Sequence, residues 1–400
     1  MAVSLEAVTG RQWHVAPTPR ERGRRWSRTC SGSHGCMVTL FLCGDVMLAR
    51  GIDQILAEPC DPVLYEPHLV DAREYIDIAE DASGVIPRGA PADYPWGDAL
   101  AILDAARPDA RIINLETSIT RRGEHDPEKR IHYRVSPENA ACLAAAHVDV
   151  CTLANNHVLD WGQPGLFDTL DTLDRLHIRR CGAGRDLDEA VRPAVIDLAD
   201  RGRIAVFSVG CADAGVPPSW SAMRDRPGVF AVDVLDDDAT RRIRRAIEPW
   251  RRPHTILVLS IHWGPNWGFA IPAEHRRFAH RMIDDAGVDV VHGHSSHHVK
   301  GIEVHHGHPI LYGCGDLLTD YEGIRSNQVY RGDLGLLYLV TLDDTGALAG
   351  LEMVPTRMHR FRITGAGPHD VHWLATTLAR SGESLGTSIA IEGQRLKLRA

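Results

Sequence analysis

No apolar stretch of this 400-residue sequence approaches the roughly 18–20 residues that a membrane-spanning helix requires. The longest one, 255–261, has the length and aliphatic content of a buried strand. We therefore expect no integral membrane segment. Acidic residues outnumber basic ones and the formal net charge is −9, so the composition does not favour nucleic acid as a partner.

The cysteine spacing that would build a disulfide framework or a thiolate zinc site is also missing. The nine cysteines are odd in number, and no two of them have CxxC spacing. Buried free thiols are the simplest interpretation. Because such thiols are typical of a reducing compartment, we expect a cytoplasmic protein.

The first 36 residues lack the apolar core of a secretory signal and any regular hydrophobic pattern. They contain six arginines but only two glutamates, a composition typical of disorder. Met37 directly precedes the first apolar run and would serve as a start. We expect 1–36 to be a disordered or untranslated basic tail and 37–400 to be a single domain.

The remaining sequence alternates between short aliphatic runs and segments with helical periodicity, which predicts an α/β fold. The predicted strands are 38–43, 111–114, 148–153, 204–209, 256–261, 288–291 and 334–342. The predicted helices are 98–106, 138–146, 165–176 and 273–285. The segment 58–94 is rich in proline, aspartate and tyrosine, and we expect an irregular insertion there that covers a substrate site.

Polar or ionisable residues follow five of the predicted strands at the point where each strand ends. They are Asp45, Glu116, Asn156 with His157, His262, and the run 292–298, which reads HGHSSHH. Strand ends on one edge of an α/β sheet are where ligands bind. Carboxylates, an amide and imidazoles together form a mixed oxygen and nitrogen ligand set for a divalent ion.

Each of these positions also has an ordinary structural interpretation. Asp45 suits a helix cap, Asn156 suits a turn, and His262 suits a hydrogen-bonded core histidine. The run 292–298 is harder to explain in that way, because it holds several imidazoles within reach of one another. We interpret His305, His306 and His308 as surface residues of a hairpin turn that do not belong to the site.

Five motifs together resemble the CapA family, which is named for poly-γ-glutamate capsule synthesis and belongs to the calcineurin-like metallophosphoesterase superfamily. They are LFLCGDVMLARG (40–51), INLETSIT (113–120), LANNHVLDWG (153–162), IHWGPNW (261–267) and the segment 288–316. The resemblance covers about 38–343. It implies a calcineurin-like metallophosphoesterase fold, a central β-sandwich flanked by helices with a metal site at the sheet edge.

The resemblance also implies roles for individual residues. The expected metal ligands are Asp45, Glu116, Asn156, His262, His294 and His297. The expected catalytic residues are His157, His294, Asp45 and Asp160, with Asp160 standing in for the acidic residue that is Val158 here. Apart from the resemblance, the basic alternating stretch of Lys129, Arg130, His132 and Arg134 suits either a solvated face or a contact with a substrate carboxylate. The expected substrate contacts are Arg130, Arg134 and Asp316.

Two positions depart from the superfamily pattern, and they leave the number of ions open. Met47 stands where a histidine ligand is usual, and Val158 stands where an acidic residue is usual. We therefore expect one or two divalent ions, chosen from Ca²⁺, Mg²⁺, Mn²⁺ and Zn²⁺.

Three functions are consistent with these residues. The first is a metal-dependent acid/base enzyme that acts on a peptide or poly-γ-glutamate substrate, and that includes the Cα epimerases of natural-product pathways such as lasso peptides. The second is a metallophosphoesterase that hydrolyses phosphoester bonds. The third is a non-enzymatic accessory protein of capsule synthesis.

Overall fold

The computed structural model describes residues 37–324 and 328–400. The expectation for the tail 1–36 lies outside the described residues. No helix in the described ranges is long and apolar enough to cross a membrane.

The strands and helices alternate along the chain. In chain order the strands are β1 Val38–Val46, β2 Ala110–Leu115, β3 Ser118–Ile119, β4 Arg134–Val135, β5 Val150–Thr152, β6 Arg179–Cys181, β7 Ala183–Gly184, β8 Ala194–Asp197, β9 Arg203–Cys211, β10 Gly228–Val229, β11 Ala231–Val232, β12 Thr255–His262, β13 Val290–His294, β14 Ile302–His305, β15 His308–Leu311, β16 Asp316–Leu318, β17 Leu334–Leu342, β18 Leu348–Met358, β19 Ile363–Gly365, β20 Ser388–Glu392 and β21 Arg395–Arg399. The α-helices are α1 Gly51–Ile55, α2 Glu74–Ser83, α3 Asp98–Ala106, α4 Ala141–Ala145, α5 Gly162–Arg175, α6 Leu187–Ala190, α7 Asp237–Ile247, α8 Ala273–Asp284 and α9 Pro368–Gly382.

Most of these strands belong to two large sheets. The first sheet has the order β20-β21-β18-β17-β1-β2-β5-β6, with β16 paired to β1 and β19 to β18. The second has the order β11-β9-β12-β13-β15-β14, with β8 paired to β9. Strands β1, β2, β5 and β6 run parallel, as do β9, β12 and β13, so their carboxyl ends lie along common edges.

The two sheets pack face to face because their strands are apolar on both faces. In β1, Leu40 and Leu42 join one core that also contains Val206 and Val258 of the second sheet. Phe41, between the two leucines, points the other way into a core shared with α2, α3 and α5. The far face of the second sheet packs on α7 and α8. The prediction of a mixed α/β fold is confirmed, and the layers follow from the alternation of side chains along each strand.

The expectation of an irregular segment over 58–94 is wrong in one part. It contains helix α2, which buries Tyr75, Ile76 and Ala79 against the core. The segment's proline and aspartate content hid this helical spacing. The rest of the segment makes only isolated bridges and turns.

Candidate functional site

Five strands bring their polar ends to one place between the two sheets. Asp45 is the penultimate residue of β1, and Glu116 follows β2 directly, while Asn156 and His157 follow β5. His262 and His294 are the last residues of β12 and β13, and they lie opposite each other in the parallel register. The fold therefore assembles the strand-end residues that the sequence pattern singled out.

Asp45, His262 and His294 form the first group, in which each residue offers a ligand atom within 4.8 Å of the other two. The Nδ1 atoms of His262 and His294 are 2.8 Å apart, and His294 Nδ1 is 3.7 Å from Asp45 Oδ1. Asp45 is held from its other sides, because Asn114 Nδ2 donates to Oδ1 at 2.7 Å and the Ser295 amide donates to Oδ2 at 3.1 Å. The side chains of Asp45, His262 and His294 are all buried.

The hydrogen bonds around this group assign the tautomers of its imidazoles. His292 Nε2 donates to the Cys43 carbonyl at 2.6 Å, and His292 Nδ1 lies 3.2 Å from Ser260 Oγ. Because the Ser260 hydroxyl donates to Thr152 Oγ1 at 3.1 Å, Ser260 Oγ accepts from His294 Nε2 at 2.8 Å, which leaves a lone pair on His294 Nδ1. His292 therefore has a supporting position and does not face the group.

His262 is oriented in the same way. Its Nε2 is 3.1 Å from Asn156 Oδ1, to which it donates. Both imidazoles consequently present Nδ1 lone pairs towards each other and towards the Asp45 carboxylate. Two facing lone pairs beside a carboxylate repel one another without a cation, so the donor set fits a divalent metal ion.

A second group shares Asp45 and adds His297 and Asp316, again with ligand atoms within 4.8 Å. His297 Nδ1 is 3.0 Å from Asp316 Oδ1. Asp316 Oδ2 is buried and has no hydrogen-bond partner. Asp316 was expected to contact substrate, but the structure places it inside the polar cluster.

Glu116 lies between the first group and His157. Its Oε1 is 3.7 Å from His262 Nε2 and 3.8 Å from His157 Nε2, while its Oε2 is buried without a hydrogen-bond partner. A buried polar atom without a partner costs free energy unless something else satisfies it. Free carboxylate oxygens on Glu116 and Asp316 therefore also fit a metal ion.

Burial and mutual repulsion shift the titration of Asp45, Glu116, His262 and His294 towards the uncharged forms, whereas Asp316 raises the pKa of His297 against the effect of burial. Burial first, and then Asp316, raise the pKa of Asp45 to about 7. Burial and the charge of Asp45 raise the pKa of Glu116 well above its ordinary value. Burial lowers the pKa values of His262 and His294 well below the ordinary value, so both imidazoles are neutral. Neutral imidazoles and crowded carboxylates are the protonation pattern of a cation site.

His157 and Asp160 form a hydrogen-bonded pair beside this cluster. His157 Nδ1 donates to Asp160 Oδ2 at 2.6 Å, so the lone pair on Nε2 points towards Glu116. The Tyr133 amide donates to the same Asp160 oxygen at 2.7 Å, and Lys129 Nζ donates to Oδ1. The Tyr133 ring lies against the His157 ring with centroids 4.1 Å apart.

The charges around this pair keep Asp160 ionised and His157 neutral. Burial would raise the pKa of Asp160, but His157 and Lys129 lower it below its ordinary value. Burial lowers the pKa of His157 to about 4, against the opposing effect of Asp160. A neutral, oriented imidazole with an unshared Nε2 lone pair is equipped to accept a proton.

Arg130 and Arg134 are not brought into the cluster. Arg130 is exposed. Arg134 packs over the Trp161 ring at 3.9 Å and donates to the Asp61 carbonyl at 3.0 Å. Since successive side chains of an extended segment point to opposite faces, Tyr133 faces His157 and Arg134 faces away.

Asn114 and Tyr133 escaped the sequence interpretation, and Lys129 was expected only as part of the basic stretch and not as the partner of Asp160. Asn114 could have been found, because it precedes Glu116 by two positions at the end of a strand and therefore shares its face. Lys129 lies in a loop, and its contact with Asp160 has no local sequence signal.

A cavity of about 1100 Å³ opens beside His297, and Tyr133, Trp267 and Tyr321 also line it. Residues of α2 form part of its wall, and the expectation that 58–94 covers a substrate site stays a prediction. Arg50 also lines the cavity, but its guanidinium is engaged with Glu66, Asp320 and the Tyr75 hydroxyl.

The expected surface histidines lie on the hairpin of β14 and β15. His306 is exposed, and His305 and His308 are partly buried. His305 Nε2 and His306 Nδ1 each lie 3.0 Å from Asp284 Oδ1, at the end of α8.

Comparisons with known proteins agree with the motif resemblance. A family model described as bacterial capsule synthesis protein PGA_cap matches residues 39–321. The chain is 44% identical to a probable polyglutamine synthesis accessory protein of Mycobacterium tuberculosis over 367 residues, which is 90% of this chain and 95% of that protein. It is 27% identical to the PGA biosynthesis protein CapA of Bacillus subtilis over 247 residues, covering 62% of this chain and 60% of that protein. The capsule biosynthesis protein CapA of Bacillus anthracis is also 27% identical, over 48% of this chain and 45% of its own length.

Proposed function

Since this chain belongs to the bacterial capsule synthesis protein PGA_cap family, with relatives named CapA, we propose that it is a metal-dependent acid/base enzyme acting on a peptide or poly-γ-glutamate substrate. The proposed metal ligands are Asp45, Glu116, Asn156, His262, His294 and His297. The names of the relatives support a polyamide substrate, since they refer to polyglutamine and capsule synthesis. The proposal includes a Cα epimerase as the specific reaction.

One observation carries the proposal. The His157–Asp160 pair leaves an unshared imidazole nitrogen next to a buried set of carboxylates and imidazoles that fits a divalent ion. A bound cation would supply positive charge that polarises a substrate carbonyl and acidifies the adjacent Cα–H. His157 Nε2 would accept the proton, and Asp160 would hold the imidazole in the required tautomer.

Substrate access agrees with this arrangement. The cavity is lined by His297, which belongs to the second group of ligands, and by Tyr133, whose ring packs on His157 of the His157–Asp160 pair. Its lining combines aromatic rings with charged groups, as a site for a peptide chain requires.

We also assign the fold to the calcineurin-like metallophosphoesterase class, with 37–400 as a single domain. The order of the five motifs and the packing of two sheets between helical layers support this assignment. A cytoplasmic location is proposed as well, supported by free buried thiols such as Cys43, Cys151 and Cys314.

The test is an isotope experiment on the metal-loaded protein. Candidate peptides and γ-glutamyl oligomers are incubated with it in D₂O, and the products are analysed by mass spectrometry and chiral amino-acid analysis. One deuterium at a Cα together with inverted configuration supports epimerisation, and addition of water supports hydrolysis of the polyamide. A His157→Gln variant should abolish either reaction while retaining its metal, whereas a chain that performs neither reaction contradicts the proposal.

Phosphoester hydrolysis is the second candidate, because the Asn156–His157 pair and the strand-end carboxylates resemble the superfamily's phosphoesterase site. It predicts turnover of bis-p-nitrophenyl phosphate that depends on metal and on His157. The relatives' accessory-protein names raise a third candidate, a non-enzymatic role. That role predicts that capsule or polymer synthesis in cells survives His157→Gln.

A further inference from the structure

The departure at Met47 raises the question of what replaces the missing histidine of the superfamily pattern. Met47 is buried among Tyr133 and Tyr321, and it accepts a hydrogen bond through sulfur from the Tyr321 hydroxyl at 3.8 Å. A thioether is a poor ligand for hard divalent ions. Met47 therefore belongs to an apolar and aromatic wall and leaves any second ion one ligand short.

We propose that Asp316 replaces that histidine, so that Asp45, His297 and Asp316 hold a second divalent ion next to the one held by Asp45, His262 and His294. This inference rests on the proposed metal-dependent function, and it decides the number of ions in favour of two. Asp316 lies on a different strand, β16, whereas the superfamily pattern places the histidine ligand two positions after Asp45.

The backbone carries Asp316 to this position. Strand β16 pairs with β1 in parallel, and the register sets Asp45 directly opposite Asp316. The Asp45 amide donates to the Gly315 carbonyl at 2.9 Å. The approach needs glycine on both sides, because a Cβ on Gly44 would lie 1.7 Å from the Gly315 oxygen and because Gly315 has a φ of 77°. Two glycines thus place the two carboxylates next to each other.

The charges of the cluster favour a second cation. Asp45, Glu116 and Asp316 have exposed fractions of only 0%, 2% and 3%. Across the described residues, the ion-pair partners of these three carboxylates are imidazoles alone. The nearby cationic side chains are engaged elsewhere, since Lys129 pairs with Asp160 and Arg50 pairs with Glu66 and Asp320.

One ion cannot contact every available ligand atom of the cluster. The Nδ1 atoms of His262 and His294 point to one side of Asp45, while His297 and the unpartnered Asp316 Oδ2 belong to the other group. Only Asp45 is common to both groups, which is the arrangement of a bridging carboxylate. The two groups also differ in chemistry, because two imidazoles and one carboxylate suit a borderline ion, whereas two carboxylates and one imidazole suit a harder one.

Manganese is the probe, because Mn²⁺ accepts both ligand sets and reports on its neighbours by electron paramagnetic resonance. The full chain is stripped with a chelator, titrated to saturation with Mn²⁺, and analysed for metal content and low-temperature spectrum. We expect two Mn²⁺ per chain with an exchange-coupled spectrum. Asp316→Asn should bind one Mn²⁺ and give the spectrum of an isolated ion.

The variants are chosen so that folding does not decide the result. Asn at 316 keeps an oxygen that accepts from His297 Nδ1, and it removes the unpartnered charge. Thr319→Val is the matched control, because the Thr319 hydroxyl is buried without a hydrogen-bond partner and its removal should leave both ions in place. Circular dichroism and thermal melting of the metal-free proteins verify that each variant folds.

Two outcomes would overturn the inference, namely a wild-type chain that saturates at one Mn²⁺ and an Asp316→Asn chain that still binds two. Neither depends on substrate turnover. A failed isotope experiment with two bound ions would reject the proposed reaction and leave this inference standing. The reverse result, activity with one ion, would reject the inference alone.

Discussion

Asp160→Asn is the sharpest perturbation of the candidate site, because it changes one atom type and one charge without changing shape. Asp160 accepts hydrogen bonds from His157 Nδ1, the Tyr133 amide and Lys129 Nζ. An asparagine has only one oxygen for these three donors. Its NH₂ group must face either Lys129 or the position shared by His157 Nδ1 and the Tyr133 amide, and in the wild-type protein all three donate to Asp160.

The positive charge of Lys129 favours the asparagine oxygen, which turns the NH₂ group towards His157 Nδ1 and sacrifices the hydrogen bond from the Tyr133 amide. His157 then carries its proton on Nε2, the nitrogen that faces Glu116. We expect loss of the general base to slow the reaction by about 10²–10⁴-fold, which corresponds to roughly 3–5 kcal/mol in the barrier. The buried hydrogen bonds that are weakened should cost about 1–3 kcal/mol of folding stability.

Two measurements separate these effects. Long-range ¹H–¹⁵N NMR of histidine-labelled protein reports the tautomer of His157 without any substrate, with the resonance assigned by its loss in His157→Gln. Deuterium uptake gives the rate, and elemental analysis verifies that the metal content is unchanged. Asp174→Asn, which alters an exposed ion pair with Arg180, serves as a control. An Asp160→Asn protein that keeps the wild-type tautomer and rate would refute the assigned role of Asp160.

Three further predictions concern the stability of the fold. Gly44→Ala should lower the free energy of unfolding by about 2 kcal/mol or more in urea titrations, because its Cβ would overlap the Gly315 carbonyl, whereas Gly350→Ala should be nearly neutral since nothing lies within 4 Å. Arg50→Met should lower the free energy of unfolding by about 3–5 kcal/mol at neutral pH, measured in the same way, because it leaves the buried carboxylates of Glu66 and Asp320 without their cation. Burial raises the pKa of Asp289 to about 7, so the folded state holds this proton more tightly than the unfolded state, and the Asp289 contribution to stability falls as pH rises from about 4 to 7. Asp289→Asn should remove that loss, so urea unfolding in chelator should place the variant above wild type at pH 8 by at most about 4 kcal/mol, and an equal difference at pH 4 and pH 8 would contradict the shift.

Much of the secondary structure was predictable from local pattern. The helix predicted at 98–106 coincides with α3, and the strand predicted at 334–342 coincides with β17. Both have strong periodicity and clear ends. Helix α2 was missed, because turn-forming residues on either side masked ten residues of amphipathic spacing.

The site was predictable to the extent that strand ends mark it. Asp45, Glu116, His262 and His294 were expected together because parallel strands present their carboxyl ends on a common edge, and the fold brings them within a few ångströms. The basic stretch around Arg134 was expected at the same place, since charge alone suggested a substrate contact. Strand alternation sends Arg134 to Trp161 instead.

The sequence by itself determined which residue types are available for chemistry and which strand carries each of them, because both depend on neighbours in the chain. Only the tertiary structure decided that Asp316 stands beside Asp45 and that Lys129 reaches Asp160, because no local rule links either pair.

 The first pair is separated by 271 residues in sequence and the second by 31. Strand pairing closes the first separation through the close approach of Gly44 and Gly315, and the fold of the loop before β4 closes the second. The physical reason is that hydrogen-bond register and burial act between segments distant in the chain, where residue spacing carries no information about distance in space.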